Sequence, residues 1–324
     1  MNFRLEYTPK PFEIKIRHQD RLFLIGSCFT EQIGSKLSAS KFRTLENPNG
    51  ILFNPVSIAN ALSSYVSDKQ YKEEDLFLQN ELWGSWDHHT RFSALSSEEC
   101  LKKINTSQIE AHRFLKSANW LIVTLGSSFV YELADNNKVV ANCHKVPTDK
   151  FFKRLLSAKE VAEVLADSIY KVRNFNPGIK FNFTISPVRH LRDGFVENNR
   201  SKANLISAVH QLVSEIPGAY YFPSYELIID DLRDYRFFAE DMVHPNYAAT
   251  NYVWEKFMAS CIDSDAYLLM KEISLINAAR NHKPFNPGSM QHKLFMESNL
   301  QKVQALQKKY DYIDLKDEIE YFGA

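Results

Sequence analysis

Apolar residues fall in two patterns along the chain. Short unbroken runs stand at 21–26 (RLFLIG), 119–125 (NWLIVTL), 179–186 (IKFNFTIS) and 218–222 (GAYYF). Such runs, bounded by turn residues, predict strands buried on both faces. Elsewhere apolar positions recur three or four apart, which predicts helices over 29–40, 56–66, 98–117, 157–174, 198–215 and 246–261. Residues 129–134 and 138–143 flank Asp135-Asn136-Asn137 and predict a hairpin. The aromatic stretch 82–92 (LWGSWDHHTRF) predicts another. Residues 46–55 read as a loop, punctuated by Pro48, Gly50 and Pro55.

Strand and helix alternate as β-α-β-α-β-α-β-α. That order predicts an α/β domain with a parallel sheet covered on both faces. After residue 262 the pattern becomes wholly helical, over 264–281 and 289–310, interrupted by KPFNPG at 283–288. The expected organisation is an α/β domain over 1–262 and a C-terminal helical extension over 263–324.

Composition narrows the function classes. Of 324 residues, 44% are apolar, and 39 basic side chains balance 39 acidic ones. A neutral chain argues against nucleic acid or anionic lipid as partner. No apolar run approaches the roughly 20 residues of a membrane helix. The polar N-terminus lacks the apolar core of a signal peptide, and the four cysteines are scattered. Both features predict a cytoplasmic protein with reduced thiols.

In open α/β sheets the working site lies at the carboxyl ends of the strands. Three sequence positions there carry small polar or titratable groups. Ser27 stands between a strand and a helix, where backbone N–H groups can face a developing oxyanion. The alternative is a plain helix cap. Asp241 and His244, three apart, suit a carboxylate that orients an imidazole base; the alternative is a turn with a solvated acid. Leu125-Gly126-Ser127-Ser128 offers small donors or a simple turn. Cys28 at a helix start is a rival nucleophile, because such thiols titrate low.

Two further clusters stand apart. Arg189 suits a substrate carboxylate or phosphate, or a structural ion pair, and His190 adjoins it. Asp87, His88 and His89 together with Asn142, Cys143 and His144 supply ligand types for a metal. They lack the close-spaced quartet of a zinc site. Substrate lining by Asp87, His89, Asn142 and His144 is therefore preferred, with Trp83 or Trp86 as stacking platforms and neither metal nor cofactor.

Taken together, these stretches resemble the GSCFA-domain family within the SGNH, or GDSL-type, hydrolases. The namesake motif reads Gly26-Ser27-Cys28-Phe29-Thr30, with Thr for the final Ala. NGILFNP at 49–55, WDHHTRFS at 86–93, TLGSSFVYE at 124–132, ANCHK at 141–145, SPVRH at 186–190 and DMVHP at 241–245 are also similar. The resemblance covers about residues 20–260. It implies a flavodoxin-like three-layer α/β/α sandwich and a serine hydrolase or acyltransferase acting on an ester, such as an O-acylated glycan or small metabolite. Ser27 then falls on the nucleophile, His244 on the base and Asp241 on its orienting acid. Gly50 and Ser128 fall on the oxyanion hole, Ser128 where the superfamily carries Asn. Gly26 replaces the usual Asp of the GDS motif. The alternative is a ligand-binding module on the same fold that has lost esterase chemistry.

Overall fold

The computed structural model describes residues 5–323; residues 1–4 of the expected α/β domain and Ala324 of the extension lie outside them. Its centre is a five-stranded sheet built from β1 (Arg21–Gly26), β2 (Arg43–Glu46), β5 (Trp120–Leu125), β9 (Lys180–Ile185) and β10 (Ala219–Tyr221). The spatial order is β10-β9-β5-β1-β2, with every neighbouring pair parallel. Counted in sheet strands this is the flavodoxin-like order 2-1-3-4-5. The chain leaves β1 toward one edge and returns to its other side at β5. The crevice of such a fold opens at that reversal, above the carboxyl ends of β1 and β5.

Strand periodicity divides the core into two layers. Phe23, Ile25, Leu121, Val123, Phe181 and Phe183 face α2 (Pro55–Val66), α3 (Ser97–Lys116), α4 (Ala158–Phe175) and α5 (Phe195–Glu215). Leu22, Leu24, Trp120 and Ile122 face α1 (Cys28–Ala39) and α7 (Tyr247–Cys261). Each fully buried side chain of this kind contributes about 1.5–3 kcal/mol of transfer free energy. Helices on both faces make the three layers that the sequence pattern predicts.

Insertions decorate this core. Phe77–Gln79 (β3) and Leu82–Gly84 (β4) form a hairpin turned at Asn80 and Glu81, both with positive φ. It lies N-terminal to the hairpin expected over 82–92. The reason is aromatic packing: Trp86 stacks on Phe77 at 3.8 Å between ring centroids and holds 85–92 as a folded loop. Phe129–Leu133 (β6) pairs with Val139–Val140 (β7) across the expected turn, and with Phe151–Leu155 (β8) on its other edge.

The C-terminal helices α8 (Ala266–Arg280), α9 (Met290–Lys309) and α10 (Lys316–Gly323) share an apolar cluster that includes Leu269, Ile273, Val303, Leu306 and Phe322. They dock at the far end of α1. Asn277 donates to the Ala39 carbonyl, Arg43 to the Tyr312 carbonyl, and buried Glu318 accepts from Lys41 at 2.8 Å and Arg280 at 3.1 Å. Among the described residues, no helix is long and apolar enough to cross a membrane.

Candidate active site

Gly26 closes β1 in a conformation that requires glycine. Its φ is +143°, and a Cβ there would stand 2.1 Å from the Thr124 carbonyl oxygen. The Asn47 side chain accepts from the Gly26 N–H, and the Gly26 carbonyl accepts from the Leu52 N–H. This crowding excludes the aspartate that GDS motifs carry at this position.

Ser27 follows as the N-cap of α1, yet its hydroxyl makes no capping bond. That hydroxyl is buried without a hydrogen-bond partner among the described residues. Buried hydroxyls are normally satisfied, so Ser27 stands out for reasons other than helix capping. Its backbone N–H donates to the Thr124 carbonyl at 3.0 Å.

Asp241 and His244 form a pre-assembled pair. One Asp241 carboxylate oxygen lies 2.7 Å from His244 Nδ1; the other accepts the backbone N–H groups of Val243 and His244, each at 2.9 Å. These bonds hold the Asp241 carboxyl down at about 2. An ionised acceptor places the imidazole proton on Nδ1, leaving Nε2 with its lone pair when the ring is neutral. Met242, with φ +57°, makes the tight turn that brings the acid back onto the ring. The turn is anchored to the sheet edge by the Arg189 N–H, which donates to the Val243 carbonyl. No hydrogen bond joins His244 to Ser27 in this structure.

The donors expected for an oxyanion hole are committed elsewhere. The Gly50 N–H donates to the Asn47 carbonyl at 2.7 Å, and Gly50, at φ +81°, lies against His89. The Ser128 hydroxyl turns away into α5, donating to the Ser201 carbonyl at 3.1 Å. The Gly126 and Ser127 N–H groups both donate to the Phe53 carbonyl. What remains at this edge is the first turn of α1. There the Cys28 and Phe29 amides point at the Cys28 thiol and pull its pKa down, but burial outweighs them and the thiol is raised. The low-titrating thiolate expected at this helix start is therefore not what the site provides. Cys28 packs instead against the α1/α7 apolar layer.

Sequence reasoning missed Lys202. It projects from α5, fully buried, and donates to the Gly126 and Ser186 carbonyls, both at 2.7 Å. It thus ties the carboxyl ends of β5 and β9 together. Burial pulls its pKa down to about 7. A lone lysine in an amphipathic helix gave no signal. Arg91 was also passed over; it donates to Glu31 and to the Asn47 carbonyl beside Gly50.

Arg189 and His190 leave β9 at the same edge. Arg189 forms no ion pair among the described residues, so the structural pairing considered for it is absent. The His190 ring packs edge-on against Phe53, its Nε2 buried without a partner, and burial with nearby Lys202 pulls its pKa down to about 3. Asp87, Asn142, His144 and Trp86 gather instead around the β3–β4 hairpin, and His89 lies against Gly50 in the preceding loop. His144 Nε2 donates to the Ser85 and His88 carbonyls at 3.0 and 3.1 Å, and Trp86 lies between Phe77 and Phe151. Asp87 pairs with Lys138, the Asn142 side chain accepts the His144 N–H, and the His89 ring accepts the Arg91 N–H. Trp83 bridges to Ala94 by backbone pairing. Each of these groups has an internal partner that holds the inserted segments. No group of three or more His, Cys, Asp or Glu side chains among the described residues is placed to hold a metal.

The fold and its edge define an α/β protein with a serine after the first sheet strand and an Asp–His pair ahead of the last helix of the sandwich. Within that class the chain belongs to the GSCFA family. The family model matches residues 21–257, and a model of the GSCFA domain protein C-terminal domain matches 273–324. No curated protein matches the chain. Among solved structures it is similar to a carbohydrate esterase family 3 protein from Talaromyces cellulolyticus, at 10% identity and a TM-score of 0.36. That alignment covers 78% of this chain and 99% of the other.

Proposed function

We propose that the protein is a serine-dependent hydrolase or acyltransferase acting on an ester. The observation that carries this reading is the Asp241–His244 pair, in which the carboxylate takes Nδ1 and leaves Nε2 as the ring's available base. In this reading His244 Nε2 accepts the Ser27 proton as Oγ attacks the ester carbonyl. Asp241 holds the ring in the required tautomer and balances the imidazolium that forms. The alkoxide leaves with the proton from His244, and water or a second alcohol then releases the acyl group from Ser27. In this reading the positive end of the α1 dipole favours the oxyanion that forms on Ser27.

A second reading, a module that binds esters without turning them over, is favoured by one observation. The Ser27 N–H, the Gly50 N–H and the Ser128 hydroxyl all have internal partners. One experiment separates the two: intact-mass spectrometry after treatment with a fluorophosphonate. A single adduct on wild type, absent from Ser27→Ala and slowed in His244→Ala, supports the hydrolase. A folded wild-type protein that takes no adduct, or an adduct that persists in Ser27→Ala, overturns it.

A further inference from the structure

The Arg189 side chain is a cation held in place without an anion. Its guanidinium carbon lies 4.3 Å from the centroid of the Phe238 ring and 5.1 Å from that of Tyr235. Nη1 is buried with no hydrogen-bond partner among the described residues. Stacking on aromatic faces recovers part of the cost of removing a guanidinium from water. It satisfies none of the five N–H donors, which lie in the guanidinium plane and match a carboxylate or phosphate in a two-point fork.

Four acids of the surrounding segments are engaged elsewhere. Asp241 is on His244, Asp234 on Arg236, Asp193 on Lys153 and Glu226 on the Tyr221 hydroxyl. The guanidinium is also fixed in relation to the proposed base, because the Arg189 backbone carries the Val243 carbonyl, one residue before His244. Phe238 pairs with Pro245 immediately after it. The aromatic shelf under Arg189 and the imidazole therefore belong to one loop.

From this geometry we infer that the ester substrate is anionic: it carries a carboxylate or phosphate, separate from the scissile ester, that docks on the Arg189 guanidinium. Arg189 is then the specificity-determining residue of the site. The inference rests on the hydrolase reading and names the substrate class that such an enzyme would take.

The test compares two acyl donors with one leaving group, 4-nitrophenyl butyrate and 4-nitrophenyl hemisuccinate, which differ by a terminal carboxylate. Wild type is expected to favour the hemisuccinate in kcat/KM. In Arg189→Gln the ratio of the two kcat/KM values falls at least tenfold, mainly through KM, and Arg189→Lys restores part of it. Thermal shifts with succinate and with inorganic phosphate, on wild type and Ser27→Ala, read binding without chemistry. A shift present in both proteins and lost in Arg189→Gln supports the anion site even if no ester is turned over, so failure of the hydrolase reading is seen separately. The succinate and phosphate arms tell which anion fits better. A wild type that shows neither a preference for the hemisuccinate nor an anion-induced shift, a ratio unchanged in folded Arg189→Gln, or anion-induced shifts that survive that substitution, overturns the inference.

Discussion

Replacing Lys202 with methionine removes a buried amine from beneath the site while keeping much of its apolar stem. The Gly126 and Ser186 carbonyls lose their donor, and each acceptor left buried costs about 1–3 kcal/mol. Set against this is relief from burying a charge, and that part depends on pH. The amine titrates at about 7 in the folded chain against 10.5 when unperturbed. Below pH 7 both states hold the proton, and the folded state bears the full cost of the buried ammonium. Between about 7 and 10.5 the unfolded chain keeps a proton that the folded chain has shed, so stability rises with pH. Integrating this difference from pH 6 to pH 9 gives about 3 kcal/mol. Urea unfolding of wild type and Lys202→Met, followed by tryptophan fluorescence at pH 6, 7.5 and 9, measures it directly. The stability advantage of wild type is expected to grow by about 3 kcal/mol across that range. An advantage constant to within about 0.5 kcal/mol refutes the reasoning, because a lysine that stays charged throughout contributes no such slope.

Two further outcomes follow from the crowding at the strand ends. Gly26→Ala, whose new methyl meets the Thr124 carbonyl at 2.1 Å under a positive φ, is expected to lose more than about 3 kcal/mol in chemical denaturation; a loss under about 1 kcal/mol contradicts the close approach. Ser128→Asn, which restores the side chain common in the resembled superfamily, is expected to cost about 1–3 kcal/mol by overfilling the buried contact with Ser201. It is also expected to leave ester hydrolysis no faster than wild type, and a faster variant would mean that the side chain reaches the reacting carbonyl after all.

The central strands were legible because they are short and apolar on both faces: RLFLIG and NWLIVTL admit no amphipathic reading. Edge strand β2 was not, since its sequence Arg43-Thr44-Leu45-Glu46 has a single apolar side chain and faces solvent over much of its surface. Strand β8 was hidden in the same way by Lys153 and Arg154, and α10 by its shortness. In the site, local chemistry was readable and partnership across the fold was not. Asp241 and His244 lie within one turn, so their spacing alone announced the contact now seen at 2.7 Å. Ser128 and Ser201 are 73 positions apart, and Lys202 acts on two strand ends from a helix that looked merely amphipathic. His144 and Trp86 carry ligand and stacking chemistry in principle, but they spend it on holding the inserted hairpins together.

The first helix joins two places that the sequence keeps far apart. Twelve residues make a rod about 18 Å long. One tip is Ser27; at the other, the Ala39 carbonyl is gripped by Asn277 of the C-terminal helices. A close-packed α-helix is stiff along its axis, so the rod does not absorb a push by shortening. The serine tip is pinned to the sheet through the Thr124 carbonyl and the far tip to the C-terminal bundle through Asn277, so the one rod is moored at both ends.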